Sequence, residues 1–138
     1  MWTVVACDTP APARGEAPEI DTRYSCFALK VAPSPIAGWG VFAQERIPTR
    51  RKVIEYTGER INRAETARRL HRKIHAIFTL DDEWAIDAAV DGSGAHYINH
   101  SCDPNLRTLI LRGHILYMAK RVIEPGEELT VDYKFRPN

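Results

Sequence analysis

A chain of 138 residues with 44% hydrophobic and 27% charged residues is long enough to bury one core and too apolar for a disordered segment. Its formal charge of +1 excludes a broad electrostatic footprint for nucleic acid or an anionic membrane and leaves clusters such as Arg50-Arg51-Lys52 and Arg68-Arg69 as solvated surface. The three cysteines, Cys7, Cys26 and Cys102, are widely spaced and fit neither a disulfide framework nor a four-thiolate zinc site. No apolar run nears the ~20 residues that span a bilayer and no signal-peptide pattern opens the chain, so a reducing, cytoplasmic setting is expected.

Residues 1–23 hold Pro10, Pro12, Pro18 and Gly15, which suit neither helix nor sheet, and read as a flexible leader; the domain is expected over 24–138. Cys26 to Val31 is short and apolar enough for a strand, ended by Pro33 and Pro35, and a turn-rich stretch follows through Gly38-Trp39-Gly40. Val53 to Thr57 is rich in β-formers and stops at Gly58. Asn62 is placed as N-cap of a helix with Glu65 at the capping-box position, and Ala64, Ala67, Leu70, Ile74 and Ile77 keep an apolar face, with an end expected near His75. Phe78 to Leu80 and Trp84 to Asp87 read as strands around Asp81-Asp82, and Leu106–Leu111 should pair with His114–Ala119 across Arg112-Gly113. After Pro125-Gly126, alternation from Glu128 to Tyr133 puts Leu129, Val131 and Tyr133 on one face. Short, closely spaced strands with one helix predict a mainly β domain.

The residues that carry chemistry gather in few places. Gly38-Trp39-Gly40 lacks the third glycine of a dinucleotide site and serves either as a tight turn or as a close backbone approach to a ligand. The run Tyr97-Ile98-Asn99-His100-Ser101-Cys102-Asp103-Pro104-Asn105 packs amide, imidazole, thiol and carboxylate into one loop. Three readings of it stand open: a cramped zinc site, a Cys102 nucleophile served by a histidine, or a cofactor loop in which Asn99 and His100 bind a polar ligand. His71 and His75 stand four apart, but no glutamate follows His71 as the metalloprotease pattern requires.

Gly38-Trp39-Gly40, Glu55-Tyr56-Thr57-Gly58-Glu59, Ile86-Asp87-Ala88, the 97–105 run and Gly126-Glu127-Glu128-Leu129-Thr130-Val131-Asp132-Tyr133 occur in the order and approximate spacing of the SET-domain protein lysine methyltransferases, which this chain resembles from about residue 27 to Phe135. The resemblance implies a β-clip fold of small sheets with a C-terminal pseudoknot and one inserted helix. It implies S-adenosylmethionine as cofactor, held by Gly38, Trp39, Gly40, Tyr97, Asn99, His100 and Tyr133, with no metal. Tyr133 would be the catalytic tyrosine and Tyr56 a wall of the lysine channel, with Val131 and Thr108 also on the substrate side. The implied partner is a protein or peptide bearing a lysine, with neither membrane nor direct nucleic-acid contact.

Departures from the family pattern carry expectations of their own. Val131 stands where an aromatic is frequent, and a smaller side chain there leaves room for more than one methyl group. Ala76 stands where many relatives carry a channel tyrosine, His96 replaces the usual arginine, and Ser93 follows Gly92 where an asparagine is common nearby. A cysteine-rich zinc segment after the tyrosine is not expected; Phe135, the leader or a second protomer in a homodimer would cover the site instead. Two other function classes are weighed against the enzyme: a SET-like peptide-binding module that has no use for Asn99, His100 and Tyr133 together, and a cysteine hydrolase built on Cys102, for which no oxyanion device is evident.

Overall fold

The computed structural model describes residues 17–72 and 76–133. Most of the leader, the expected helix end at His75, Ile74 and Phe135 lie outside the described residues. Four small sheets make up the fold. β1 (Leu29–Pro33) and β2 (Trp39–Ala43) form an antiparallel hairpin. β3 (Lys52–Tyr56), β9 (His114–Ala119) and β8 (Leu106–Leu111) form a three-stranded sheet in the order β3-β9-β8. β4 (Glu59–Asn62), β6 (Trp84–Asp87) and β5 (Ile77–Thr79) form another in the order β4-β6-β5. β10 (Thr130–Val131) lies parallel to β7 (Asn99–His100), pairing Thr130 with Asn99 and Val131 with His100. This last pair carries the expected C-terminal pseudoknot, and the mainly β fold with its one inserted helix is as expected.

Several elements follow directly from local chemistry. The β8–β9 hairpin turns on Arg112 and Gly113, both at positive φ (53° and 80°), the left-handed pair that a two-residue hairpin requires. Gly58 sits where the backbone of another family motif passes: a Cβ there would stand 2.3 Å from the Asp87 carbonyl oxygen. The glycine is what lets the corner between β3 and β4 lie against β6.

Other expectations are corrected. The stretch read as turn-rich through Gly40 already holds the start of β2 at Trp39, because the β1–β2 turn closes early, with the Ser34 N–H donating to Gly38 O at 2.9 Å. Helix α1 (Arg63–Arg69) is a short surface helix with no buried residue, and Ile77, counted on its apolar face, is a buried strand residue of β5. Asn62 caps α1 as expected, its Oδ1 accepting the Glu65 N–H at 2.9 Å, whereas the Glu65 carboxylate serves Arg69 at 2.6 Å. Strict alternation fails near the C-terminus: Leu129, Thr130 and Val131 are all buried, since a strand threaded inside the fold has no solvent face. Residues 17–23 are described, with Ile20 packed on the main core and the Asp21 N–H donating to Ser93 O at 2.9 Å.

What α1 lacks in burial it gains in charge pairing. Arg69 reaches Glu59 at 2.5 Å, Glu65 at 2.6 Å and Asp87 at 3.0 Å, and Arg72 also bonds Asp87. Burial pushes the Asp87 carboxyl up, but the Ala89 N–H and the two guanidinium groups outweigh it and hold it below the usual carboxylate range.

Candidate active site

The C-terminal segment and the 97–105 run are locked together by Asn105. Its Oδ1 accepts the Thr130 N–H at 2.8 Å and its Nδ2 donates to Glu128 O at 2.8 Å, so one buried amide replaces a missing stretch of strand pairing. Sequence reasoning gave Asn105 no role; its only signal was a second asparagine closing the motif after Pro104.

Asn99 ties this core to the glycine loop. Its Nδ2 lies 3.2 Å from Ala37 O, 3.1 Å from Trp39 O, 3.1 Å from Ser34 Oγ and 2.8 Å from Glu128 Oε2. Carbonyl and carboxylate oxygens can only accept, so the amide orientation is settled, and its Oδ1 faces no protein donor among the described residues. The Ser34 hydroxyl donates to the same Glu128 carboxylate at 2.8 Å. That carboxylate covers Gly40: a Cβ there would stand 2.4 Å from Glu128 Oε2, which is why a glycine follows Trp39. Glu128 is a staple between loop and pseudoknot. Glu127 instead holds the Pro125-Gly126 turn, accepting the Glu124 N–H and pairing with Arg121 at 2.9 Å.

Tyr133 closes over this arrangement. Its hydroxyl donates to Ile98 O at 2.9 Å, its backbone N–H donates to His100 Nδ1 at 3.1 Å, and its ring lies 5.2 Å from the His100 ring. Because Nδ1 accepts, His100 carries its proton on Nε2, which points to Cys102 Sγ at 3.5 Å. The 3.8 Å approach of Asp132 to Nδ1 is therefore a neighbouring charge and not a hydrogen bond. Asn99, His100, Val131, Tyr133 and the Gly38–Gly40 loop thus come together at one place. Tyr97, in a 3-10 turn (Ala95–Tyr97), is part-buried beside them and stacks on His96 at 4.0 Å.

Of the residues expected on the substrate side, Tyr56 and Thr108 lie on the β3-β9-β8 sheet and Val131 on β10. Tyr56 is 2% exposed, donates its hydroxyl to Ala76 O, and packs against Phe78 at 5.6 Å and Tyr117 at 6.1 Å. Ala76 thus supplies a carbonyl that orients Tyr56. Thr108 is buried directly across from Tyr117 on β8 and β9. Sequence reasoning missed Tyr117, which sits mid-strand in an apolar run with nothing to mark it. Burial first, and then the neighbouring Tyr133, push the Tyr117 hydroxyl well above the usual phenol range, so it stays uncharged. Tyr117 therefore packs against Tyr56 and is near enough to Tyr133 for charge on the one to oppose charge on the other. A separate cavity of about 310 Å³ between α1 and the β5–β6 hairpin, lined by Ala67, Leu70 and Trp84 among others, shares none of these residues.

The family model described as SET domain matches residues 38–134. This chain belongs to the SET-domain family. It is 40% identical over 118 residues to a histone-lysine N-methyltransferase, H3 lysine-4 specific, of Mycosarcoma maydis, covering 78% of this chain and 8% of that protein. It is 39% identical over 114 residues to the H3 lysine-4 specific histone-lysine N-methyltransferase of Saccharomyces cerevisiae, covering 75% of this chain and 11% of that protein. A solved Polycomb Repressive Complex 2 from Chaetomium thermophilum, a humanized mutant bound to an inhibitor, matches with a TM-score of 0.74 and 36% identity over 80% of this chain and 15% of that one. The related complex in an autoinhibited conformation bound to S-adenosylmethionine matches with a TM-score of 0.73 and 34% identity, over 80% of this chain and 15% of that one. This SET-domain chain thus spans about a tenth of the length of the curated relatives it matches.

One expectation is overturned here. The cytoplasmic setting does not stand, because these relatives are named for modifying histones, which are chromatin proteins. Cysteine usage separates reducing from oxidising compartments, and nothing in it separates two reducing ones. Among the described residues no helix is long and apolar enough to cross a membrane.

Proposed function

We propose that this chain transfers methyl groups from S-adenosylmethionine to the ε-amine of a lysine in a histone H3 tail. The observation that carries the reading is the meeting of Asn99, His100 and Tyr133 through the parallel β7–β10 pair, beside a dry wall of Tyr56 and Tyr117. The residues fit the cofactor: Asn99 Oδ1 is an acceptor without a protein donor among the described residues, suited to an ammonium, and Asn99 Nδ2 fixes the Trp39 carbonyl beside it. When bound, S-adenosylmethionine supplies an electrophilic methyl carbon on a cationic sulfur.

The chain's own residues do the rest. Gly38, Trp39, Gly40, Tyr97, Asn99 and His100 form the cofactor side in this reading, and Tyr56, Val131 and Thr108 the substrate side. A lysine ammonium with a pKa near ~10.4 has no lone pair and must lose its proton before it can attack. Walls of Tyr56, Tyr117 and Val131, each no more than 2% exposed, disfavour the charged amine by desolvation, so no strong base is needed. Tyr133 spends its proton on Ile98 O and turns oxygen lone pairs to the channel, where they orient C–H groups by weak contacts. Rigid walls then contribute alignment, which lowers the barrier of a displacement by converting it into an effectively unimolecular step.

Incubating the chain with S-adenosylmethionine and an H3 tail peptide, followed by mass spectrometry, tests this directly. Methylation at lysine 4 that continues past one methyl group is expected, since Val131 leaves space. A product that stays strictly monomethyl contradicts the Val131 argument, and absence of any methylated lysine contradicts the proposal.

A further inference from the structure

The β8–β9 hairpin has an uneven chemistry that the methyl-transfer site does not use. Residues 106–120 contain Arg107, Arg112, Lys120 and His114 and not one aspartate or glutamate. Glu55 on adjoining β3 is engaged by His114, whose Nδ1 lies 2.7 Å from its carboxylate, and the hairpin's cations are Arg107, Arg112 and Lys120. β8 pairs with β9 in unbroken register from Leu106↔Ala119 to Leu111↔His114, and among the described residues no strand is hydrogen-bonded to its other edge, although Thr130 of β10 accepts the Asn105 N–H just before it at 3.2 Å.

That edge lacks most of the protection natural sheets use. Unpaired strand edges are usually shortened, bulged, covered, or interrupted by proline and charge, because they template the addition of another strand. β8 is six residues long, free of proline and bulge, and its outward row is Arg107, Leu109 and Leu111. Leu109 is 39% and Leu111 53% exposed, while the inward Leu106 and Thr108 are buried. An apolar row flanked by arginines, beside a ladder of open backbone groups, has the chemistry of a strand-addition site.

We propose that the β8 edge docks an extended, acidic-apolar segment of a partner protein by strand addition. Backbone hydrogen bonds supply affinity, Leu109 and Leu111 select apolar side chains at alternate positions, and Arg107 and Arg112 at the two ends select carboxylates. A second copy of the same edge is the poorer occupant, since it would bring two cationic, acid-free hairpins together. The proposal does not depend on methyl transfer and stands or falls separately from it.

Two fluorescent ten-residue peptides, one alternating glutamate with valine and the other lysine with valine, test it against the whole chain. Anisotropy should show the glutamate peptide binding at least about tenfold more tightly, with affinity falling as salt rises. Hydrogen exchange should show new protection confined to the amides of β8. Arg107→Glu, at an exposed position, should keep the wild-type melting temperature and shift preference toward the lysine peptide. Equal binding of the two peptides, binding without protection in β8, or no binding at millimolar peptide would overturn the proposal. Concentration-dependent dimerisation protecting the same amides would overturn it in favour of a second copy.

Discussion

Tyr133→Phe should lower kcat by roughly 10²–10³-fold, the scale set by removing one preorganised polar contact from a closed site, with little change in cofactor affinity. The substitution removes only the hydroxyl that donates to Ile98 O at 2.9 Å. The bond from the Tyr133 N–H to His100 Nδ1 is made by backbone, so the pseudoknot and the ring contact with His100 persist. Stability should fall by about 1 kcal/mol, the net worth of a single hydrogen bond, which is too little to account for the lost rate. Calorimetric titration of the variant with S-adenosylmethionine, set beside its steady-state rate, separates the roles. Equal losses in affinity and rate would make Tyr133 a binding residue and not one that acts on the reacting atoms.

Arg69→Met should reduce the unfolding free energy, by less than the roughly 3–5 kcal/mol of a buried charge left with no partner, because Arg72 still pairs with Asp87. Asp87 has no exposed surface, and after the change it would face only Arg72, whose side chain is 40% exposed, and the Ala89 N–H. Glu59 and Glu65 would lose their common partner as well. Two of the shifted groups, His96 and Asp87, shape the acid side of the pH dependence. Burial lowers His96 to about 4, the Asp87 carboxylate opposing it in part. The unfolded chain therefore takes up this proton first, and stability present above about 6.5 is lost as pH falls toward 4, by about 3 kcal/mol. Asp87 is also held below its ordinary value, so its contribution is present above about 3.9 and disappears only at still lower pH. In Arg69→Met the Asp87 carboxyl rises, and the part of the acid limb that Asp87 contributes to a urea-denaturation series should move to higher pH. An unchanged limb would show that Arg69 does not hold that charge.

Local chemistry was readable and long-range chemistry was not. Trp84–Asp87 and the β8–β9 hairpin stand as the sequence places them, because the Arg112-Gly113 turn and β-rich runs are signals carried by neighbouring residues. The Asn62 cap was equally legible. The apolar spacing read as a longer helix failed because Ile77 belongs to a strand packed on β6, and no residue near it announces that partner. The site itself shows the same division. Tyr133 and Asn99 could be named from motif order, while Glu128 and Ser34 meet across ninety-odd positions and Tyr117 gains its place only through the sheet. Contacts of that separation are set by topology, and periodicity carries no record of them.

Methyl transfer by this arrangement requires cofactor and lysine to be held at once, each entering one passage from its own side. Calorimetric titration of a lysine-bearing H3 peptide into the chain saturated with S-adenosylhomocysteine, the cofactor after loss of its methyl group, tests this most directly. The peptide is predicted to bind the saturated protein at least as well as the free one. Competition between the two would place them in a single pocket and contradict the passage.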